Sequence, residues 1–301
     1  MAGSFDYDLI AIGSGPSGRR AAVQASTFGR TVLIIDRRGK RGGVSVHTGN
    51  IPSKTLRETV LNLTGWRERG IYGINYRVKQ DIGAQDLGMR LGKTLQDEVD
   101  ILEHQFLRNG ITVAYGEARF VDAHTVEIEG DEKNRRRVSG KAIVVAVGSI
   151  PHRPKNIPFD GKRVIDSDGM VSLDRIPRSL TVVGAGVIGI EYATIFSALD
   201  VRVTIIDQRE HILDFIDHEV VDEFVHQLRD QSVNFRLGSA LESIVIEAEQ
   251  PVAILEGGRR VRAAVLLYTG CRLVAAAVIN LSYTCLMGSR HGTITAHRGS
   301  S

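Results

Sequence analysis

Cysteine is nearly absent from this chain, with two residues, Cys271 and Cys285, in 301. That excludes a disulfide-stapled secreted scaffold and fits a reduced, cytoplasmic setting. Both cysteines read as buried packing residues. Proline is also scarce, at 7 residues, which argues against a proline-rich linker protein. No apolar run is long enough to span a bilayer, since the greasiest stretch, residues 180–199, is broken by glycines and by Glu191. The start of the chain is acidic rather than basic and apolar, so no secretory signal is read there. Charge of either sign is not in large excess: 38 Lys and Arg face 35 Asp and Glu. The surplus is spread along the chain, whereas a nucleic-acid binder gathers it in one stripe. No metal, membrane or nucleic-acid partner is expected.

Glycine is abundant, at 32 residues, and its placement is informative. Residues 9–36 and 180–207 form an ungapped internal repeat at an offset of 171, with 10 of 28 positions identical. Each copy reads as a buried strand, a glycine-rich turn, a helix-length stretch and a second apolar strand ending in aspartate. The turns are Gly13-x-Gly15-x-x-Gly18 and Gly184-x-Gly186-x-x-Gly189, closed by Asp36 and Asp207. In such a turn the first glycine bends the chain, the second admits a pyrophosphate and the third lets helix and strand pack. The helix N-terminus offers free N–H groups to the phosphates, and the aspartate reaches a ribose hydroxyl.

The length predicts about two domains. Between the copies, residues 53–66 and 86–109 read as helices, and 111–120, 125–129 and 142–147 as strands. The charged run 131–137 reads as a solvated turn. Pro151, Pro154 and Pro158 mark the boundary. The expected organisation is therefore an α/β fold with two Rossmann-like dinucleotide-binding domains in tandem. These cover residues 1–150 and 151–272, followed by a short segment, 273–301. Two dinucleotide folds in one chain suggest hydride transfer between a flavin and a nicotinamide.

The stretch Gly42-Gly43-Val44-Ser45-Val46-His47-Thr48-Gly49-Asn50-Ile51-Pro52-Ser53-Lys54 resembles the active-site segment of the flavoprotein disulfide reductases. That family carries a redox pair of cysteines where this chain has Ser45 and Asn50, and neither can cycle between thiol and disulfide. The chain is most similar to the branch that lacks the pair, the soluble pyridine nucleotide transhydrogenases. This similarity runs from about residue 7 to residue 267 and includes the stretches 166–207 and 214–224.

The resemblance implies FAD bound by Gly13, Gly15, Gly18, Asp36, Gly43, Gly116, Ala146, Gly148 and Ser149, with Thr48, Gly49 and Lys54 along the isoalloxazine. Lys54 would pair with Glu191 beside the flavin, one partner from each domain. Gly184, Gly186, Gly189 and Asp207 would hold NAD(P). Asp207 would favour a free 2′-hydroxyl, so that Asp207→Ala weakens NAD(H) more than NADP(H). Arg209 either offsets a 2′-phosphate or is a solvated surface arginine. His47 either lines the site or packs near its turn. The implied reaction is hydride exchange between NADPH and NAD⁺, with a ping-pong order. Alternatives are an FAD-dependent NAD(P)H oxidoreductase with another acceptor and a non-catalytic dinucleotide-binding fragment.

Two departures from the family pattern are visible. Cys271 interrupts a Gly-Arg pair, Gly270-Cys271-Arg272, and is expected to strain that turn. The family also continues into a segment that returns to FAD and into a dimerisation domain. Asn280-Leu281, Leu286 and residues 290–292 resemble the lead-in to it. On this reading the homodimer interface is missing and FAD is retained weakly.

Overall fold

A computed structural model describes residues 5–37, 41–73, 75–130 and 134–275. The chain begins with β1 (Tyr7–Ile12), α1 (Pro16–Thr27), β2 (Val32–Asp36), α2 (Gly43–His47), α3 (Asn50–Leu63), α4 (Arg69–Tyr72) and α5 (Ala84–Arg108). Then come β3 (Thr112–Tyr115), β4 (Glu117–Phe120), β5 (Thr125–Glu129), β6 (Arg135–Val145) and β7 (Ser149–Pro151). The next stretch holds β8 (Val164–Asp166), β9 (Ser179–Val183), α6 (Val187–Ala198), β10 (Arg202–Ile206) and α7 (His218–Asp230). The last elements are β11 (Asn234–Arg236), β12 (Leu241–Glu247), β13 (Gln250–Leu255), β14 (Arg260–Arg262), β15 (Val265–Tyr268) and β16 (Arg272–Val274).

The described residues divide into two compact units. One comprises the described residues of 1–43 and 99–149 with 274–275; the other comprises those of 44–98 and 150–273. The division breaks at 149/150, beside the boundary expected near residue 150, but it places residues 44–98 with the second unit. The reason is apolar burial. Leu56 and Val60 of α3, with Leu87 and Leu91 of α5, share one core cluster with Ile190, Ile195 and Phe196 of α6. Helix α6 is buried on most of its circumference, as a helix must be when it has a sheet on one side and another helix on the other.

In the first unit the sheet order is β3-β2-β1-β6-β5-β4. Strands β3, β2, β1 and β6 run parallel, and β5 and β4 return antiparallel. Ile10, Ile12, Leu33 and Ile35 form the centre of its core. β6 begins at Arg135, so residues 135–137 lie in a strand and not in the solvated turn expected there. The arginines are accommodated by cross-strand acids: Arg137 Nε lies 3.3 Å from Glu127, and Arg135 Nη2 lies 3.1 Å from Glu129.

The second unit carries the parallel sheet β11-β10-β9-β15-β8 and the antiparallel meander β12-β13-β14. Short strands β8 and β14 are additions to the sequence reading, too brief to leave a periodic signal. The internal repeat is realised as β1-α1-β2 in one unit and β9-α6-β10 in the other. Among the described residues no helix is long and apolar enough to cross a membrane, and no group of three or more His, Cys, Asp or Glu is placed to hold a metal.

Candidate functional site

Each fingerprint turn uses its three glycines for different ends. Gly13 and Gly184 have φ of +104° and +107°, a backbone region that side chains rarely adopt. A Cβ on Gly13 would overlap the carbonyl oxygen of Ala146, and one on Gly184 would lie 2.8 Å from Thr269 Oγ1. A Cβ on Gly18 would overlap the carbonyl of Gly13, and one on Gly189 that of Gly184. Gly15 and Gly186, which cap α1 and α6, differ from these. A Cβ on either would meet nothing within 4 Å, and no side chain caps either helix N-terminus. The fold itself has no packing use for glycine there. Open space over uncapped N–H groups is what a close-approaching pyrophosphate needs, so the residues of both turns fit an adenine dinucleotide.

The acids are held in place, but not equally. Asp36 accepts from the Ser14 N–H (2.8 Å), the Ser14 hydroxyl and the Arg37 N–H (2.7 Å). The Ser14 hydroxyl also accepts from the Gly42 N–H at 2.8 Å. Asp207 accepts four hydrogen bonds. Its Oδ1 takes the Arg209 N–H (2.9 Å) and Arg209 Nε (3.0 Å), and its Oδ2 takes the Ala185 N–H (2.7 Å) and Arg209 Nη2 (2.8 Å). The Asp207 side chain is 7% exposed and that of Arg209 is 43% exposed.

Burial pushes the Asp207 carboxyl up, but bonds from the Arg209 side chain, the Arg209 N–H and the Ala185 N–H outweigh it and hold it below its ordinary range. The Arg209 guanidinium is correspondingly raised, first by its bond to Asp207. A depressed acid stabilises the fold above its unfolded pKa, about pH 4, and loses that contribution as pH falls through the folded value. Asp207→Asn is therefore expected to flatten the acid limb of the stability curve. Thermal melts from about pH 7 to about pH 3 test this; an unchanged acid limb contradicts the fork.

The other expected residues fall in both units. In the first, Gly43 (φ +59°) lies against Gly15, its Cβ position 3.4 Å from the Gly15 Cα. The Ala146 N–H donates to Ile12 at 2.8 Å, which seats its carbonyl against Gly13. Gly116 (φ +154°) donates to the Asp36 carbonyl at 3.0 Å, and its Cβ would lie 2.6 Å from the Glu129 oxygen. Its glycine is thus explained by strand packing. Gly148 (φ +72°) has open space around it, and Ser149 starts β7.

In the second unit, the Thr48 and Gly49 N–H groups donate to the Val44 carbonyl at 3.1 and 2.6 Å, turning the chain into α3. Lys54 on α3 is ion-paired with Glu191 on α6. The pair is present, but both partners belong to one packed unit, and Lys54 is 58% exposed against 18% for Glu191.

Two residues escaped the sequence reading. Ser14 locks Asp36, as described. Thr269 follows β15 as Ala146 follows β6, and its hydroxyl donates to the Val183 and Gly184 carbonyls at 3.0 Å. The signal was available, because each residue closes the strand that runs beside a fingerprint strand.

Cys271 is exposed, contrary to the packing role expected of it. The tight residue of that turn is Gly270, whose Cβ would lie 2.5 Å from the Tyr268 hydroxyl. Cys271 keeps an ordinary φ, so the expected strain is not found. Cys285, Asn280-Leu281, Leu286 and residues 290–292 lie outside the described residues.

A family model described as pyridine nucleotide-disulphide oxidoreductase matches residues 7–288. The chain belongs to that family. As a pyridine nucleotide-disulphide oxidoreductase it has close curated relatives. It is 42% identical over 268 residues to a soluble pyridine nucleotide transhydrogenase of Mycobacterium bovis, covering 89% of this chain and 57% of that protein. It is 36% identical over 294 residues to the soluble pyridine nucleotide transhydrogenase of Colwellia psychrerythraea, covering 98% of this chain and 63% of the relative. This chain thus spans about three fifths of the length of the relatives it matches.

Among solved structures, the HOCl-induced flavoprotein disulfide reductase RclA from Escherichia coli superposes with a TM-score of 0.78 at 25% identity, over 91% of this chain and 58% of that one. LpdA from Mycobacterium tuberculosis, at 22% identity, shares the fold with a TM-score of 0.81, over 91% of this chain and 62% of its own. The tandem α/β architecture of FAD- and NAD(P)-binding domains is that of the family.

Proposed function

We propose that this protein takes part in FAD-dependent hydride transfer between NADPH and NAD⁺, the first fingerprint holding FAD and the second the nicotinamide nucleotide. The observation that carries the reading is the pair of open glycine cradles, each beside its own fixed aspartate. The soluble transhydrogenases at 36–42% identity support the choice of reaction.

FAD, when bound, supplies a two-electron carrier between one nicotinamide and the next. The chain supplies the rest. Gly13, Gly15 and Gly18 with the α1 N-terminus receive the pyrophosphate of FAD, and Asp36 keeps an acceptor position for its ribose. Glu191 holds Lys54 on α3, the residue that, with Thr48 and Gly49, the family resemblance would assign to the isoalloxazine. The Gly184–Gly189 turn positions the nicotinamide nucleotide, and positioning is the main contribution to a reaction between two bound rings.

Ser45 in α2 and Asn50 at the start of α3 stand where a dithiol would otherwise relay electrons. The expected outcome is NADPH-dependent reduction of an NAD⁺ analogue on adding FAD. That activity should be insensitive to arsenite after NADPH reduction, and neither lipoamide nor oxidised glutathione should be turned over. Strong turnover of either disulfide, or failure to bind FAD, would overturn the reading.

A further inference from the structure

The second unit contains a cavity that the hydride-transfer reading does not use. It measures about 210 Å³ and lies where α3, α6 and α7 meet, wholly within residues 44–98 and 150–273. Side chains normally fill such a junction and leave few voids larger than a water molecule. This junction stays open. Val60, Ile195 and Leu228 make its lining apolar, and the rings of Trp66 and Phe224 stand in its wall. An apolar cavity of about 150 Å³ takes up benzene, so this one has room for an aromatic ring and a small polar head.

The polar groups of the lining decide the character of that head. Three of them are already engaged inside the protein. The Thr194 hydroxyl donates to the Glu191 carbonyl at 2.7 Å, Gln227 Nε2 donates to Glu223 at 2.9 Å, and Gln231 Oε1 accepts from the Ser197 hydroxyl at 3.3 Å. Arg57 differs. Its guanidinium lies 3.6 Å from Glu58, too far for a hydrogen bond, and Glu58 is itself held by Arg67 Nη2 at 2.8 and 3.0 Å. Among the described residues no acid lines the cavity. A second cation backs the indole: the Arg69 guanidinium lies 4.6 Å from the Trp66 ring centroid. The Arg69 side chain is 11% exposed, and its Nε and Nη2 are buried without a hydrogen-bond partner among the described residues. Arg69 and Arg77 share one carboxylate, that of Asp200, which leaves a surplus of positive charge against the indole.

We propose that this cavity binds a small aromatic carboxylate, its ring against Trp66 and Phe224 and its carboxylate on Arg57. An apolar enclosure with one convergent charged group is the usual make-up of a small-molecule site, and a guanidinium matches a carboxylate in charge and in shape. Helix α3 also carries Lys54 and α6 carries Glu191, so the occupant rests against both helices of that ion pair. The site is separate from the two fingerprints and does not depend on what they bind.

Trp66 is the only tryptophan in the chain, so intrinsic tryptophan fluorescence reports on the cavity directly. The test is titration of the 301-residue chain with benzoate, with benzamide (the same ring and a neutral head) and with acetate (the same head and no ring), at constant ionic strength. Benzoate is expected to give a saturable change, benzamide to bind about 10-fold more weakly or worse, and acetate to give no saturable change. Arg57 is half-exposed, so Arg57→Ala should fold normally, with far-UV circular dichroism as the check. It should lower benzoate affinity to that of benzamide and leave benzamide unchanged. Arg57→Lys keeps the charge but not the fork and should recover part of the loss. Absence of a saturable response to benzoate would overturn the proposal. So would equal affinity for benzoate and benzamide, or a benzoate response that Arg57→Ala leaves intact.

Discussion

Gly18→Ala and Gly189→Ala are expected to destabilise the protein by about 3 kcal/mol or more, whereas Gly15→Ala and Gly186→Ala should leave it folded but weak in binding. At Gly18 and Gly189 the new methyl would fall on the carbonyl oxygen of the first glycine of the same turn. That obstacle is backbone, so no side-chain rotamer relieves it, and overpacking of this kind typically costs 1–3 kcal/mol, occasionally more. At Gly15 and Gly186 the methyl enters open space, and substitutions that touch nothing usually stay within about 0.5 kcal/mol. The same methyl blocks the approach of a pyrophosphate to the helix N-terminus. Affinity should drop by about 100-fold, roughly the loss of two or three charge-assisted hydrogen bonds. Gly15→Ala should affect FAD, and Gly186→Ala NADPH. Thermal melts with separate FAD and NADPH titrations measure both halves. Near-normal FAD binding by Gly15→Ala would show that the cradle is not used.

Lys54→Met is expected to slow hydride transfer by about 100-fold while changing FAD affinity by no more than about 3-fold. An ammonium placed there would stabilise negative charge on the flavin when it is bound, and deleting one preorganised donor typically costs 10²–10³ in rate. Glu191, mostly buried, fixes where the ammonium lies. Glu191→Gln should give a smaller loss, because Lys54 keeps its charge but loses its anchor. Since Lys54 is more than half exposed, the pair contributes little to stability, and the melting temperature should barely move. Single-turnover reduction of the FAD-loaded protein by NADPH separates rate from affinity. An unaltered reduction rate in Lys54→Met would remove Lys54 from the reaction.

Both fingerprints were legible from the sequence, because glycine spacing, flanking apolar runs and a closing acid leave a local signature that repeats. The same is true of α5, whose leucines recur at helical steps. The partition into units was not legible. It depends on α3 packing against α6, a contact between residues more than 120 positions apart with no local trace. The one hint was the apolar run 180–199, too greasy for a helix covered on a single side. The state of Asp207 was likewise hidden. Asp36 and Asp207 occupy equivalent positions, and what separates them is a guanidinium two residues downstream whose direction spacing does not encode. Cys271 was misjudged because cysteine is usually buried, whereas the residue that turn crowds, against Tyr268, is Gly270.

The nesting of segment 44–98 within the packing of 150–273 has a consequence for how the protein is made. During synthesis, β1-α1-β2 and then β3 to β6 emerge early, and the sheet they form needs nothing from beyond residue 149. Helix α3 emerges early too, yet the apolar side formed by Leu56 and Val60 must wait for α6, which is translated well over a hundred residues later. Non-local closure of that kind slows folding and leaves a greasy helix uncovered on the nascent chain, a state prone to association. Cutting the gene near codon 150 would make the delay permanent. The upstream fragment would carry the orphaned α3 and the downstream fragment a bare α6, so neither product would hold the complete second core.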